Sequence, residues 1–120
     1  MDKTVKGILV GFNDATVMDV KAESDWTVGI DEMYRLVNCD TLDVVRLTDE
    51  IDMWVDDEGL MKSDNFLQTF VYEGRKLHQP YAGNVLILAH NDEGDTIGLT
   101  DAQVEHLTKH IQIAFYGRTR

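Results

Sequence analysis

The chain has 120 residues, 22 acidic and 11 basic, for a formal charge of −11. That length predicts a single domain, residues 1–120, with one sizeable core, and an apolar share of 43% argues against disorder. The charge opposes direct binding of a nucleic-acid backbone or an anionic membrane, and it favours a protein partner with a basic surface.

No apolar run reaches transmembrane length. The first residues lack the long apolar stretch of a secretion signal, so a cytoplasmic location is expected. Cys39 is the sole cysteine, which leaves no internal disulfide and no cysteine metal cluster to expect. Asp40 beside it disfavours a thiolate, and Cys39 reads as a small packing residue.

Val5–Val10 and Thr16–Val20 read as strands joined by a turn at Gly11, Asn13 and Asp14. The first is nearly all apolar and suits the sheet interior. The second alternates, Met18 and Val20 against Asp19 and Lys21. Gly29–Val37 is a predicted surface helix with the stripe Ile30, Met33, Tyr34 and Val37. Asp31 and Glu32 occupy its first turn, where the macrodipole favours them. Arg35 is spaced to meet Asp31, and Asn38 ends the helix.

Leu42–Leu47 and Ile51–Asp56 form a predicted hairpin around "TDE". Pairing Leu47 with Ile51 sets Arg46 opposite Asp52 and Val44 opposite Trp54, a favourable β-branched–aromatic pair. Ile51, Met53 and Val55 share one face; Asp52, Trp54 and Asp56 share the other. The carboxylates at the two ends of this ribbon exceed what its turns require. Asp49, Glu50, Asp52, Trp54, Asp56, Asp57 and Glu58 are therefore the candidate protein-binding residues. Trp54 is an aromatic anchor if its face is open, and core if a helix covers it.

Asn65–Val71 reads as a short helix with Phe66, Leu67 and Phe70 inward and Ser63 or Asp64 as its cap. Residues 72–83, with the only proline, read as the loosest connection. "GNVLILAH", Gly83–His90, is the strongest strand; Val85 to Ala89 is unbroken apolar, so both faces should be covered. After a turn at Asn91–Asp95, Thr100 and Gln103 fit a capping box. The helix it opens carries the stripe Val104, Leu107, Ile111, Ala114 and Phe115, and Glu105 precedes Lys109 by four. The basic tail from Tyr116 reads as frayed.

His106 and His110 have a spacing that zinc could use, but no H-E-x-x-H surrounds them, and they read as solvated. Asp56–Gly59 and Asn91–Asp95 do not fit a calcium loop and read as solvated turns. No metal and no cofactor is expected. His78, His90, Asp56 and Glu58 are candidate acid–base groups. None has a partner at a recognised spacing, and no phosphate loop, dinucleotide fingerprint or nucleophile elbow occurs, so no catalytic residue is assigned.

The order "LDVVRL", "IDMWVDDEG", "KSDN", "AGNVLILAH", "IGLTDAQVEHL" resembles the small domains of the domain of unknown function family 3846. That family has an "IEVVRL"-like strand after a helix, an acidic strand end and turn, an "L-N" step, a "G-N" opening a buried strand, and an "L-T-D" helix start. Leu42–Leu47 matches the first strand. Asp56, Glu58 and Gly59 match the acidic turn, Asn65 the asparagine, Gly83 and Asn84 the pair, and Leu99–Asp101 the helix start. Where the family has small residues after its asparagine, this chain has Phe66, Leu67 and Gln68. The resemblance implies a small domain of bacteria, phages and plasmids, and no catalytic residue.

The expected architecture is α+β: a small mixed or antiparallel sheet of about five strands packed against two main helices. The expected function is that of a noncatalytic acidic protein-binding module from a phage or other mobile element, one version being charge mimicry that blocks a host nucleic-acid-binding or defence protein. A small enzyme with a pocket near residues 72–90 and a self-associating structural protein are the alternatives.

Overall fold

The computed structural model of the chain describes residues 3–12, 14–77 and 79–120. In chain order the elements are β1 (Thr4–Gly11), β2 (Asp14–Lys21), α1 (Ile30–Val37), β3 (Leu42–Arg46) and β4 (Ile51–Asp56). A 3-10 turn at Gly59–Met61 leads to β5 (Phe66–Tyr72), β6 (Arg75–Lys76), β7 (Tyr81–Ala82) and β8 (Val85–His90). The chain closes with β9 (Thr96–Ile97), α2 (Asp101–His110) and β10 (Ile111–Arg118).

Strand β8 organises the molecule. Its residues Val85–Ala89 are all buried, as their unbroken apolar run requires. β1 and β4 flank it, both antiparallel, so that Ile87 stands between Ile8 and Met53. The sheet order is β2-β1-β8-β4-β3, with β9 on the end of β8. On one face Val85, Ile87 and Ala89 pack with Ile8, Val10, Ile51, Met53 and Val55 against Phe70, Tyr81 and Leu107. On the other, Leu86 and Leu88 pack with Val20 under Met33, Leu36 and Val37 of α1.

The cover on the first face corrects the expected architecture. It is a second antiparallel sheet, β10-β5-β6 with β7 also on β5, joined by α2. Among the described residues the molecule is therefore mostly β, with two short helices on opposite sides of the main sheet, and not one sheet on two main helices. Two segments account for the difference. Phe66–Tyr72 is strand β5, not a helix: Phe66, Leu67 and Phe70 suit either period, but Gln68 and Phe70 are the buried pair, two apart. The expected long last helix stops at His110, and Ile111 turns to extended backbone, φ −103° and ψ 133°. Beyond it Ile111 and Ile113 pack on the core while Gln112 and Ala114 are exposed, a period of two. β10 then pairs with β5 from Ile111↔Tyr72 to Arg118↔Phe66.

Other local expectations divide. The β3–β4 register is as read, with Arg46 opposite Asp52 and Val44 opposite Trp54. The Thr100–Gln103 capping box forms, Asn38 ends α1 in the left-handed region at φ 61°, and Lys109 pairs with Glu105 at 2.9 Å. The connection read as loosest contains a two-residue hairpin, in which Glu73 (φ 50°) and Gly74 (φ 79°) reverse the chain between Tyr72 and Arg75. The tail read as frayed is tied down. Thr119 N–H donates to the Asn65 carbonyl, and Asn65 N–H donates to the Thr119 hydroxyl, both at 2.8 Å. Ile30 is exposed, and the buried stripe of α1 is Met33, Leu36 and Val37. No described helix is long and apolar enough to cross a membrane.

Arg35 bonds Glu32, not Asp31, through two nitrogens at 2.8 and 3.0 Å. Glu32 also accepts from the Lys21 N–H at 2.9 Å and so fastens α1 to the end of β2. The Arg35 hydrogen bond is the main cause holding the Glu32 carboxyl below its ordinary 4.5. A depressed carboxylate adds stability that is present above its unfolded value and lost as pH falls through the folded one. Glu32→Gln should lower stability by roughly 1 kcal/mol at neutral pH and show a smaller further loss on acidification than the parent. Urea midpoints at neutral pH and near pH ~3 check this; equal acid sensitivity of the two proteins would contradict it.

Candidate functional site

The seven candidate residues do not form one face. Asp52 is buried, and its carboxylate accepts from His90 Nδ1 at 2.7 Å, with Arg46 Nε 4.0 Å from its other oxygen. The Asp56 side chain is almost fully enclosed, held by Lys62 Nζ at 2.6 Å and by the Glu58 N–H at 2.9 Å. That bond pushes the Lys62 ammonium above 10.5. Trp54 is half-buried and packs against the Leu86–Leu88 cluster, its indole Nε1 enclosed without a hydrogen-bond partner among the described residues. The exposed members are Asp49 and Glu50 at one end of β4, and Asp57 and Glu58 at the other. Six residues of strand at about 3.3 Å each set the two groups about 20 Å apart.

Each end collects further residues that the linear sequence keeps apart. Beside Asp49 and Glu50 lies the β8–β9 turn, since the His90 N–H donates to the Glu50 carbonyl at 3.0 Å. Asn91 accepts from the Glu93 and Asp95 N–H groups there, which leaves Asp92, Glu93 and Asp95 exposed. At the same end of the sheet Trp26 is 52% exposed at φ 69°, with Lys3 Nζ 4.8 Å above its ring. Trp26 has no signal in the sequence, because a lone tryptophan outside a periodic segment carries no pattern to flag it.

The other end holds a cleft of about 200 Å³. Asp43 and Val45 of β3, Val55 and Asp56 of β4, Asp57, Leu60 and the segment Gln79–Ala82 line it. Asp43 and Asp57 stand exposed on the rim, and neither is in an ion pair among the described residues. Tyr81 is buried in the floor; burial first, and the Asp43 charge second, push its phenol above 10.0. The exposed lining is mostly polar, with Val45, Val55 and Leu60 beside it, and two carboxylates there without a cationic partner among the described residues suit the charged head of lysine or arginine.

A second cleft, of about 260 Å³, opens on the opposite face of the same hairpin. Val44, Arg46, Asp52, Trp54, His90, Gly94 and Thr96 line it. In the neutral ring, Nδ1–H bonded to Asp52 leaves Nε2 as an acceptor, and no hydroxyl or thiol bonds His90 among the described residues. Of the other candidate bases, Asp56 is bound to Lys62, Glu58 is an exposed turn residue, and His78 lies outside the described residues.

His106 is not simply solvated: its Nε2 lies 2.7 Å from the Tyr72 hydroxyl and 3.1 Å from Glu73, and the His110 ring lies 4.4 Å away, tilted by 38°. No group of three or more potential metal ligands occurs among the described residues. The positions matched to the "L-N", "G-N" and acidic-turn motifs meet at one joint. Asn65 Nδ2 donates to the Gly59 carbonyl at 3.0 Å, Gly83 N–H to the Phe66 carbonyl at 2.9 Å, and Asn84 Nδ2 to the Leu36 carbonyl at 3.2 Å. A Cβ on Gly59 would overlap the Ala82 carbonyl oxygen. These residues tie the acidic turn to β5, β7 and the end of α1.

Asp52→Ala leaves the His90 ring without its acceptor in a part-buried site and should cost about 1–3 kcal/mol. Nitrogen-15 NMR of the parent should show the neutral His90 ring as the Nδ1–H tautomer. A dominant Nε2–H tautomer would overturn the Asp52 assignment.

The family model described as Domain of unknown function (DUF3846) matches residues 13–112. No curated protein and no solved structure matches the chain. The match runs from the β1–β2 turn into β10 and takes in the joint, both clefts and the central strand, and the chain belongs to the DUF3846 family.

Proposed function

We propose that the chain is a noncatalytic, cytoplasmic protein-binding module that takes basic side chains of a protein partner into the cleft between β3, the turn after β4, and β7. One observation carries this reading: Asp43 and Asp57 line one mostly polar cleft and have no cationic partner among the described residues. Asp56, next to them, is already neutralised by Lys62. The formal charge of −11 adds a long-range field that speeds encounter with a basic surface and weakens with salt. The same field repels a nucleic-acid backbone, so a direct nucleic-acid complex is not part of the reading. Its narrower form, in keeping with a phage or mobile-element gene, is competition with nucleic acid for the basic groove of a host binding or defence protein.

The test separates the cleft from bulk charge. Asp43→Asn/Asp57→Asn and Asp49→Asn/Glu50→Gln each remove two charges, at opposite ends of the hairpin. With an oligo-arginine peptide as titrant, the first pair should weaken binding about tenfold and the second by about twofold or less. Equal losses, or none, would leave the cleft with no special role.

A further inference from the structure

β3 is the last strand of its sheet. Leu47 N–H donates to the Ile51 carbonyl at 2.9 Å, and Asp57 N–H donates to the Thr41 carbonyl at 3.0 Å. In an antiparallel ladder, that phase turns the backbone groups of the odd-numbered residues toward β4. The backbone groups of Leu42, Val44 and Arg46 then face away from the sheet, and no other described strand pairs with that edge. The two clefts open on either side of it. Asp43 and Val45 line the acidic one; Val44 and Arg46 line the one at Trp54 and His90.

Resting on the reading of the acidic cleft as a site for basic side chains, we propose that β3 is a docking edge. An extended basic segment of a partner protein adds to it as a further strand. A strand sends alternate side chains to opposite faces. Lysines or arginines at every second position reach Asp43 and Asp57, while the residues between them lie over Val44 and Trp54. Main-chain hydrogen bonds supply affinity in such strand addition, and the alternating pockets supply specificity. A one-residue slip is penalised, because it carries the cations round to Arg46.

Charge complementarity chooses the occupant. A second copy of this chain would bring an identical acidic cleft against the first, whereas a basic strand neutralises it. The edge also carries a guard. The Asp43 carboxylate accepts from the outward N–H of Val44 at 2.9 Å. A cation arriving at Asp43 competes for that carboxylate and releases the amide for the incoming strand. With Asp43 and Arg46 exposed on a strand of five residues, the edge resists pairing with uncharged strands.

Synthetic octapeptides of four lysines and four valines test this by calorimetric titration. One has strictly alternating order, one has blocked order, and two are alternating with backbone N-methyl groups on either the lysines or the valines. The alternating peptide should bind at least about tenfold more tightly than the blocked one. One methylated set, not both, should lose most of that binding, because N-methylation on the β3-facing side removes the paired amides. If the blocked peptide binds as tightly, or neither methylated set is weakened, the docking edge is overturned and the acidic cleft stands. If no peptide binds, both readings fall.

Discussion

The fold follows from a strand that is apolar on both faces. Val85–Ala89 presents Val85, Ile87 and Ala89 to one side and Leu86 and Leu88 to the other, and each side must be kept from water. A 120-residue chain meets that demand with two unlike covers. An eight-residue helix with three buried residues suffices over Leu86 and Leu88. The larger face, which also carries Ile8, Val10, Ile51, Met53 and Val55, takes a whole second sheet together with Leu107 of α2.

Holding the second sheet over the first requires a joint. Asn65, Gly59, Gly83 and the Asp56–Lys62 pair supply it where the acidic turn, β5 and β7 meet. Carboxylates that serve the architecture are matched: Asp52 by His90, Asp56 by Lys62, Glu32 by Arg35. The exposed ones at the ends of the ribbon, Asp49, Glu50, Asp57 and Glu58, are in no ion pair among the described residues, and they flank the β3 edge of the main sheet between the two clefts. An enclosed carboxylate left unmatched would cost several kcal/mol, so the buried acids are the ones that must be paired, whereas exposed acids occur both paired, as in Glu105–Lys109, and unpaired.

The sequence was most legible where structure is local. The Thr100–Gln103 box, the left-handed Asn38 and the β3–β4 register depend on residues within a few positions of one another, and all three are present. The double burial of β8 was legible because five successive apolar residues leave no polar face. Elements fixed by distant partners were not. Phe66–Tyr72 becomes a strand because Ile111–Arg118 pairs with it across some forty residues of chain, and no short window contains both. The seven candidate residues stand out by their density along the chain. Density could not show that Asp52 and Asp56 would be consumed internally, nor that Asp43 would join Asp57 across a cleft. Asp43 had a signal in hindsight: it shares the odd-numbered face of β3 with Val45, and a charge there must stand at a rim.

The central claim is that β8 is enclosed on both faces and anchors everything else, and native-state amide hydrogen exchange measures it most directly. The account predicts that the amides of Leu86, Ile87 and Leu88 exchange last, only through global unfolding, with protection falling outward through β1 and β4 to β2 and β3. If the slowest amides lie instead in β5 and β10, with those of β8 exchanging as fast as those of β3, the second sheet is the independent core and the account is wrong.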